Sequence, residues 1–311
     1  MQGALDKFRV DAEQILTPFF KNINSQLPPP VIYHYTNDAG LKDILETGKI
    51  WLSDVFCLND PSELSHGFSI FIESLKSRAA TGPPECRKFA ESIYHFQDGI
   101  RDSAQYFICS FSARGDDLGQ WRAYADNGRG YALGFDAKIL ETTFAEQECG
   151  PKPNSDTFPV IYDDAKLADL HRNIVDKMFD LICLPHGRDI SEAVLRAYRA
   201  DLAVLTASYA MHASLYFKHE SYKNEQEYRF LRIHEAGLLL PDMKLRTRPD
   251  GSVKFIEFDW KDATQGALQR IVVGPAAEFT KASRFAKDCV SMFNAGTVSI
   301  GRSSIPYRGS S

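Results

Sequence analysis

The sequence predicts an α+β fold, because strand-like segments lie towards both ends of the chain and helical segments come in blocks between them. The segments do not alternate regularly between strand and helix, which is the pattern typical of a parallel sheet. The composition agrees, since the 311 residues are 44% hydrophobic and 25% charged, as in a globular protein. We therefore expect a mixed or antiparallel sheet core with helices added to it.

The first elements are predicted from periodicity and turn residues. A helix is expected over 4–24, where apolar residues recur at nearly helical spacing, and the prolines at 28–30 end it. The segment VIYHYT (31–36) is β-branched and aromatic, which favours a strand. A short helix follows, capped by Asn37 or Asp38 and ended by Gly48.

The middle of the chain mixes both kinds of element. An extended stretch after 48 turns near 59–61, and residues 62–104 are mostly helical with a break at 81–85. Three strands are predicted from aromatic and β-branched residues: QYFICSFSA (105–113), RGYALGFD (129–136) and FPVIYD (158–163). A short helix is expected between the first two of them.

The last part begins with a long helical section, about 165–217, interrupted near 184–187. Four strand candidates close the chain: EYRFLRIH, VKFIEFD, LQRIVVGP and TVSIGR. We expect residues 1–30 to form a helix with a proline-rich entry and 31–308 to form one domain, with 165–217 as a helical insertion. The final 309–311 are typical of a cloning remnant, and nothing is inferred from them.

Charge and composition exclude several classes. A net charge of −5 gives no reason to expect general affinity for nucleic acid or anionic membranes. The six cysteines are scattered, which favours neither a zinc ribbon nor a disulfide framework. Neither a signal peptide nor an apolar run long enough to span a membrane is seen, so a cytoplasmic location and no membrane partner are expected. The phosphate-loop, zinc-protease, nucleophile-elbow and dinucleotide-binding signatures are also absent from the sequence.

Three polar clusters on predicted strands carry the candidate chemistry. They are His34, the pair Ser110 and Ser112, and the pair Glu225 and Glu227. Residues two apart on a strand share a face, so the two carboxylates should lie side by side and need solvent, a cation or a function. Each cluster also has a simple structural reading: a hydrogen-bonded histidine in a sheet, solvated serines, and an exposed acidic face balanced by Arg229 and Lys223.

Other candidates lie beside these clusters. The candidates for binding a cofactor include Tyr35 and Thr36, which follow the histidine, and Phe111, which lies between the serines. The turn Asn59-Asp60 with Glu63 can shape the rim of a pocket or simply form a turn. Further rim candidates are Gln120, Trp121 and Arg229, although Trp121 is more typical of a core anchor, and Tyr124 is a further candidate for binding the cofactor.

The quoted segments resemble a known family. Those that carry the resemblance are YHYT (33–36), LKDILETGKIWLSD (41–54), LNDPSE (58–63), CSFS (109–112), QWRAYADNGRGYALGF (120–135) and KNEQEYR (223–229). Over about 31–235 the chain resembles the bacterial family called domain of unknown function 2971. More distantly, the order of histidine, Ser-x-Ser and Glu-x-Glu resembles the ADP-ribosyltransferase superfamily, which implies a sheet core of that type.

The distant resemblance implies a role for each cluster. His34 would bind the adenosine-side ribose of NAD, and Ser110 and Ser112 would support the nicotinamide pocket and orient the glutamate. Glu227 would bind the nicotinamide ribose and stabilise the positive charge that develops as nicotinamide leaves, while Glu225 would activate the acceptor. In that superfamily Ser-x-Ser accompanies an arginine and histidine accompanies a tyrosine, so the aromatic partner stays open among Tyr106, Phe111, Tyr124 and Tyr131.

The resulting expectation is an enzyme that uses NAD as a substrate and needs no metal. It would cleave the nicotinamide–ribose bond and pass ADP-ribose to water or to a protein or nucleic-acid acceptor, as a bacterial toxin or phage-defence effector does. Crowding of the two carboxylates is also expected to raise the pKa of one of them. The first alternative is a non-catalytic nucleotide- or ligand-binding module of a defence or mobile-element system. The second is a metal-assisted nuclease with Asp60, Glu63, Glu225 and Glu227 as oxygen ligands.

Overall fold

A computed structural model describes residues 1–57, 62–93, 104–147, 155–182, 191–235, 243–248, 251–261 and 266–307. Its helices are α1 (Gln2–Asn24), α2 (Asp38–Thr47), α3 (Ser62–Thr81), α4 (Pro84–Ile93), α5 (Leu118–Tyr124), α6 (Ala137–Glu146), α7 (Asp164–Ile182), α8 (Glu192–Ser214) and α9 (Phe279–Met292). Short 3₁₀ helices are Val55–Cys57, Asp126–Gly128 and Glu220–Glu225.

The strands are β1 (Val31–Thr36), β2 (Lys49–Asp54), β3 (Ala104–Ser112), β4 (Tyr131–Asp136), β5 (Ser155–Pro159), β6 (Glu227–Glu235), β7 (Lys244–Arg248), β8 (Gly251–Asp259), β9 (Leu268–Val273) and β10 (Ser299–Arg302). One path through the sheet runs β10-β9-β4-β1-β3-β2-β8-β7, and a branch runs from β3 through β6 to β5. The pairings between these strands are antiparallel except for β9 with β10. The predicted α+β class with a mostly antiparallel sheet is therefore confirmed.

Local sequence explains where helix α2 begins and ends between β1 and β2. The side chain of Asn37 accepts the backbone N–H of Gly40 at 2.9 Å and caps α2, which confirms Asn37 rather than Asp38 as the cap. Gly48 ends the helix with φ of 71°, a left-handed conformation that glycine adopts without strain. The chain therefore turns directly from α2 into β2.

One face of β3, which continues onto β6, is apolar at one end and polar at the other. At one end, Tyr106 and Ile108 are buried with Leu231 in an apolar core formed with α1, α3, α4, α7 and α8. At the other end the same face carries Ser110 and Ser112, opposite Arg229 and Glu227. The helices thus cover the apolar end of this face, and the polar end adjoins a pocket.

One strand boundary differs from the predictions, and one strand was missed. The strand expected at 158–163 is β5, and it ends at Pro159, which lacks a backbone N–H to donate. Beyond it only a single bridge joins Ile161 to Phe217. Strand β7 was not predicted, because its sequence KLRTR has no apolar alternation. None of the described helices is long and apolar enough to cross a membrane.

Candidate functional site

The pocket opens along one edge of β3, between the parts of that edge that pair with β1 and with β2. Strand β6 pairs with β3 along its whole length, from Ala104 to Ser112. On the opposite edge, the described register has β1 meeting β3 at Tyr33↔Ser112, and β2 meeting it at Ser53↔Ile108 and Asp54↔Phe107. The intervening edge of β3 therefore faces a pocket of about 230 Å³.

Most of the predicted site residues line this one pocket. Those that do are His34, Tyr35, Ser110, Phe111, Gln120, Tyr124, Glu225 and Glu227. The pocket is completed by side chains or backbone of Tyr33, Trp51, Ser53, Ile108, Cys109 and Lys218. The clusters at 34, 110 and 225–227, remote in sequence, are thus brought together.

His34 enters the pocket from the diverging strand. By strand alternation it lies on the opposite sheet face from Tyr33, and its ring packs edge-on against Phe111 with centroids 5.8 Å apart. Burial lowers the pKa of His34, although the nearby backbone carbonyl of Ser110 opposes this shift. The imidazole is therefore neutral at pH 7, and its buried Nδ1 has no hydrogen-bond partner among the residues that the structure describes.

Glu227 is held by four donor contacts inside the protein. Its Oε1 accepts from Arg229 Nε at 2.5 Å and from Ser110 Oγ at 2.7 Å. Its Oε2 accepts from Lys218 Nζ at 3.1 Å and from Arg229 Nη2 at 3.2 Å. A carboxylate has about four lone-pair sites, so the known contacts already account for its usual capacity.

The pKa of Glu227 is lowered, so Glu227 is not the carboxylate whose pKa crowding was expected to raise. Burial alone would raise the pKa of Glu227, but the adjacent charges of Arg229 and Lys218, with hydrogen bonds from Arg229 and Ser110, lower it well below its usual range. The mutual repulsion of the two glutamates is offset because Lys218 lies between them. Glu227 is therefore ionised at neutral pH.

Glu225 also pairs with Lys218, but it does so from a 3₁₀ helix and not from a position on strand β6. It ends the 3₁₀ helix Glu220–Glu225, and Gln226 has φ of 43°, so the backbone bends before β6 begins at Glu227. Lys218 Nζ is 2.7 Å from Glu225 Oε2, and the lysine side chain is only 4% exposed. The structural reading of an exposed acidic face balanced by Lys223 is therefore wrong: the cations that pair with the two glutamates here are Lys218 and Arg229.

Four predicted residues support the pocket from outside its lining. Ser112 Oγ donates to Glu225 O at 2.6 Å and accepts from Arg114 N, so it fixes the backbone beside Glu225. Arg229 lies behind Glu227 and donates from Nη1 to Leu215 O at 2.8 Å. The other two are Trp121 and Thr36, both buried.

Trp121 is a core anchor, as its sequence context indicated. It is fully buried, packs edge-on against Tyr35 and donates from Nε1 to Asp116 at 2.8 Å. Tyr35 in turn donates its hydroxyl to Arg114 O and accepts from Asp117 N. These contacts fix the wall of the pocket formed by β1 and α5.

Sequence reasoning gave no functional role to Lys218, Trp51 or Tyr33. The ammonium group of Lys218 forms an ion pair with each glutamate. The sequence shows only that Lys218 precedes His219, which predicts neither ion pair. Trp51 is 38% exposed, packs on Phe255 and has Arg246 over its ring at 5.2 Å. An exposed tryptophan beside a pocket is a structural signal that no sequence motif carried.

The remaining candidates fall outside what the structure describes. Asn59 and Asp60 lie outside the described residues, and so does the side chain of Glu63. Among the side chains that are described, no group of three or more His, Cys, Asp or Glu residues could hold a metal ion.

Comparison with known proteins gives a family match of unknown function. Residues 120–230, about a third of the chain, match the family described as "Protein of unknown function (DUF2971)". This supports the predicted resemblance to that family, although 31–119 lie outside the match. No curated protein and no solved structure matches the chain, so the resemblance to ADP-ribosyltransferases rests on the sequence pattern.

Proposed function

We propose that the pocket binds NAD and, as in an ADP-ribosyltransferase-like core, breaks the nicotinamide–ribose bond. The observation that carries this proposal is that His34 and Glu227, remote in sequence and on different strands, line one pocket. The acceptor of ADP-ribose is water or a macromolecule. A role as a toxin or defence effector stays a prediction from the resemblance.

The reaction needs a fixed negative charge beside the sugar. When the bond between ribose C1′ and the ring nitrogen breaks, its electron pair leaves with nicotinamide, which becomes neutral, and positive charge develops on the ribose. A carboxylate held in place stabilises that charge more in the transition state than in the ground state. The acceptor oxygen then bonds to C1′ and loses its proton to Glu225 or to solvent.

Each predicted residue has a role in this reaction that its surroundings support. Glu227 is ionised and oriented by Arg229 and Ser110, so little reorganisation is needed as charge develops. His34 is neutral and lines the pocket, so its imidazole suits a hydrogen bond to a hydroxyl group of the ligand. Glu225 is the nearby carboxylate that can take the proton from the acceptor oxygen.

Lys218 decides whether Glu227 can act on a ligand. It lies on the pocket side of Glu227, whereas Arg229 is not among the pocket-lining residues. A ribose hydroxyl can take the place of Lys218 at Oε2 of Glu227 if the ammonium group swings away from Glu227 and keeps its 2.7 Å contact with Glu225. Catalysis by this pocket therefore requires Lys218 to move.

Nicotinamide release from NAD tests the proposal. Wild type should release nicotinamide above background, and both Glu227→Gln and the milder Glu225→Gln should reduce that release. Glu46→Gln is the matched control, because Glu46 is half exposed on α2 and is not among the pocket-lining residues. Background-level release by folded wild type would refute the catalytic proposal.

A second candidate function is binding without turnover, in which the pocket senses a nucleotide. The observation that favours it is that both glutamates are already paired with cations, which reduces the negative charge available to a reacting sugar. Calorimetry discriminates: NAD or ADP-ribose should bind with no nicotinamide release. The same pairing leaves no uncompensated carboxylate at 225 or 227 for the metal-assisted nuclease, whose other two ligands fall outside the described side chains.

A further inference from the structure

A second pocket adjoins the first across a single tyrosine. It has a volume of about 400 Å³ and lies over β9, β10 and the segment around Gly115 and Asp116. Tyr33 lines both pockets. A ligand that follows Tyr33 out of the first pocket therefore enters the second.

The shared wall is built by a row of three residues across the sheet. Tyr33 of β1 pairs with Gly134 of β4, and Gly134 pairs with Arg270 of β9. A Cβ on Gly134 would lie 2.6 Å from Arg270 Cγ and 2.8 Å from Tyr33 Cε1. The glycine thus lets the arginine stem and the tyrosine ring approach each other over it, and a glycine inside a strand often marks such a close approach.

Arg270 presents an exposed guanidinium group in this pocket. Its Nη1 lies 3.4 Å from Tyr33 Oη, and no ion pair of Arg270 occurs in the part of the chain that the structure describes. The Asp116 carboxylate is occupied otherwise, since it accepts from Trp121 Nε1, from Ser303 Oγ and from the N–H and hydroxyl of Ser304. An arginine carries five N–H donors in a planar fork that fits phosphate oxygens.

Charge distinguishes the two pockets. In the first, the charges of Lys218 and Arg229 balance those of Glu225 and Glu227, and His34 is neutral. That pocket has no excess positive charge to attract phosphates, so it suits the nucleoside part of a ligand better than its phosphates. The phosphates need a cation outside it, and Arg270 is the cation at the shared wall.

We propose that the Arg270 pocket is the phosphate subsite for the nucleotide whose nucleoside part enters the first pocket. The inference rests on the proposed function for the identity of the nucleotide. It does not depend on turnover, because phosphate binding can be measured without nicotinamide release.

Calorimetric titration of Arg270→Gln tests the subsite with three ligands: NAD, inorganic pyrophosphate and nicotinamide riboside. Loss of one charge-assisted phosphate contact should weaken NAD and pyrophosphate by about tenfold to a hundredfold, and leave nicotinamide riboside unchanged. Arg302→Gln is the matched control, because Arg302 also borders this pocket but its guanidinium lies over Phe279, 5.9 Å from the ring centroid. The control should bind all three like wild type.

The outcomes separate the subsite from the proposed function. If Arg270→Gln binds NAD and pyrophosphate as wild type does, or if Arg302→Gln weakens them equally, the subsite is overturned. Arg270-dependent binding of pyrophosphate without binding of NAD would keep the phosphate site and refute the proposed function. Binding of neither ligand to wild type would overturn both.

Discussion

Removing the charge of Glu227 should destabilise the protein strongly, because three buried charged groups depend on one another. Glu227, Arg229 and Lys218 have side chains only 4%, 3% and 4% exposed. Glu227→Gln keeps the volume but directs an amide NH₂ at two or more donors, and it leaves a buried guanidinium without its carboxylate. Breaking a buried ion pair by removing one partner costs about 3–5 kcal/mol. We expect a loss of that order in the free energy of unfolding at pH 7.

Urea denaturation followed by circular dichroism measures this loss. Glu46→Gln, which removes a surface ion pair with Lys42 at 3.7 Å, should change stability by less than about 1 kcal/mol. The folded-state pKa of Glu227 lies below the unfolded value of 4.5, so its contribution is fully present above that pH and is lost on further acidification. A loss below about 1 kcal/mol for Glu227→Gln at pH 7 would refute the buried cluster.

Three further predictions concern stability. Burial lowers the pKa of His171 from 6.5 to about 4, so on acidification the unfolded chain takes up the proton before the folded protein does. This residue should therefore lower the free energy of unfolding by about 2 kcal/mol between pH 6.5 and 5. Urea titrations at the two pH values should show a smaller fall for His171→Gln than for wild type. Gly134→Ala should lower the thermal midpoint, through a destabilisation of about 1–3 kcal/mol, since its Cβ meets Tyr33 and Arg270; an unchanged midpoint would contradict the close approach. Ser112→Ala should lose about 1–2 kcal/mol with its bonds to Glu225 O and Arg114 N, and equal urea midpoints for variant and wild type would count against those bonds.

The sequence was most informative where local pattern decides structure. Strands β1 and β3 are predicted because β-branched and aromatic residues dominate them, and β4 because apolar residues fill most of it. The end of α2 follows from Gly48. The shared face of Ser110 and Ser112 followed from alternation alone. These features need no knowledge of what packs against them.

The rest of the site depends on long-range contacts that no local pattern records. Lys218 reaches Glu227 because the segment after α8 packs against β6, a contact between distant parts of the fold. The left-handed backbone of Gln226 also interrupts the strand alternation that was assumed for the two glutamates. The lowered pKa of Glu227 could not be predicted, because the sequence showed the neighbouring acid but not the buried cations. Strand β7 is polar and exposed, so its pairing with β8 left no apolar signal.

The most direct test of the account is a calorimetric titration of NAD into wild type and His34→Ala. If one ligand spans the pocket between the imidazole and the Glu227 cluster, wild type should bind NAD and the variant should bind it about tenfold more weakly, the usual effect of losing one buried hydrogen bond. Equal affinity in the two proteins, or no binding by wild type, would contradict the claim that this pocket is the NAD site.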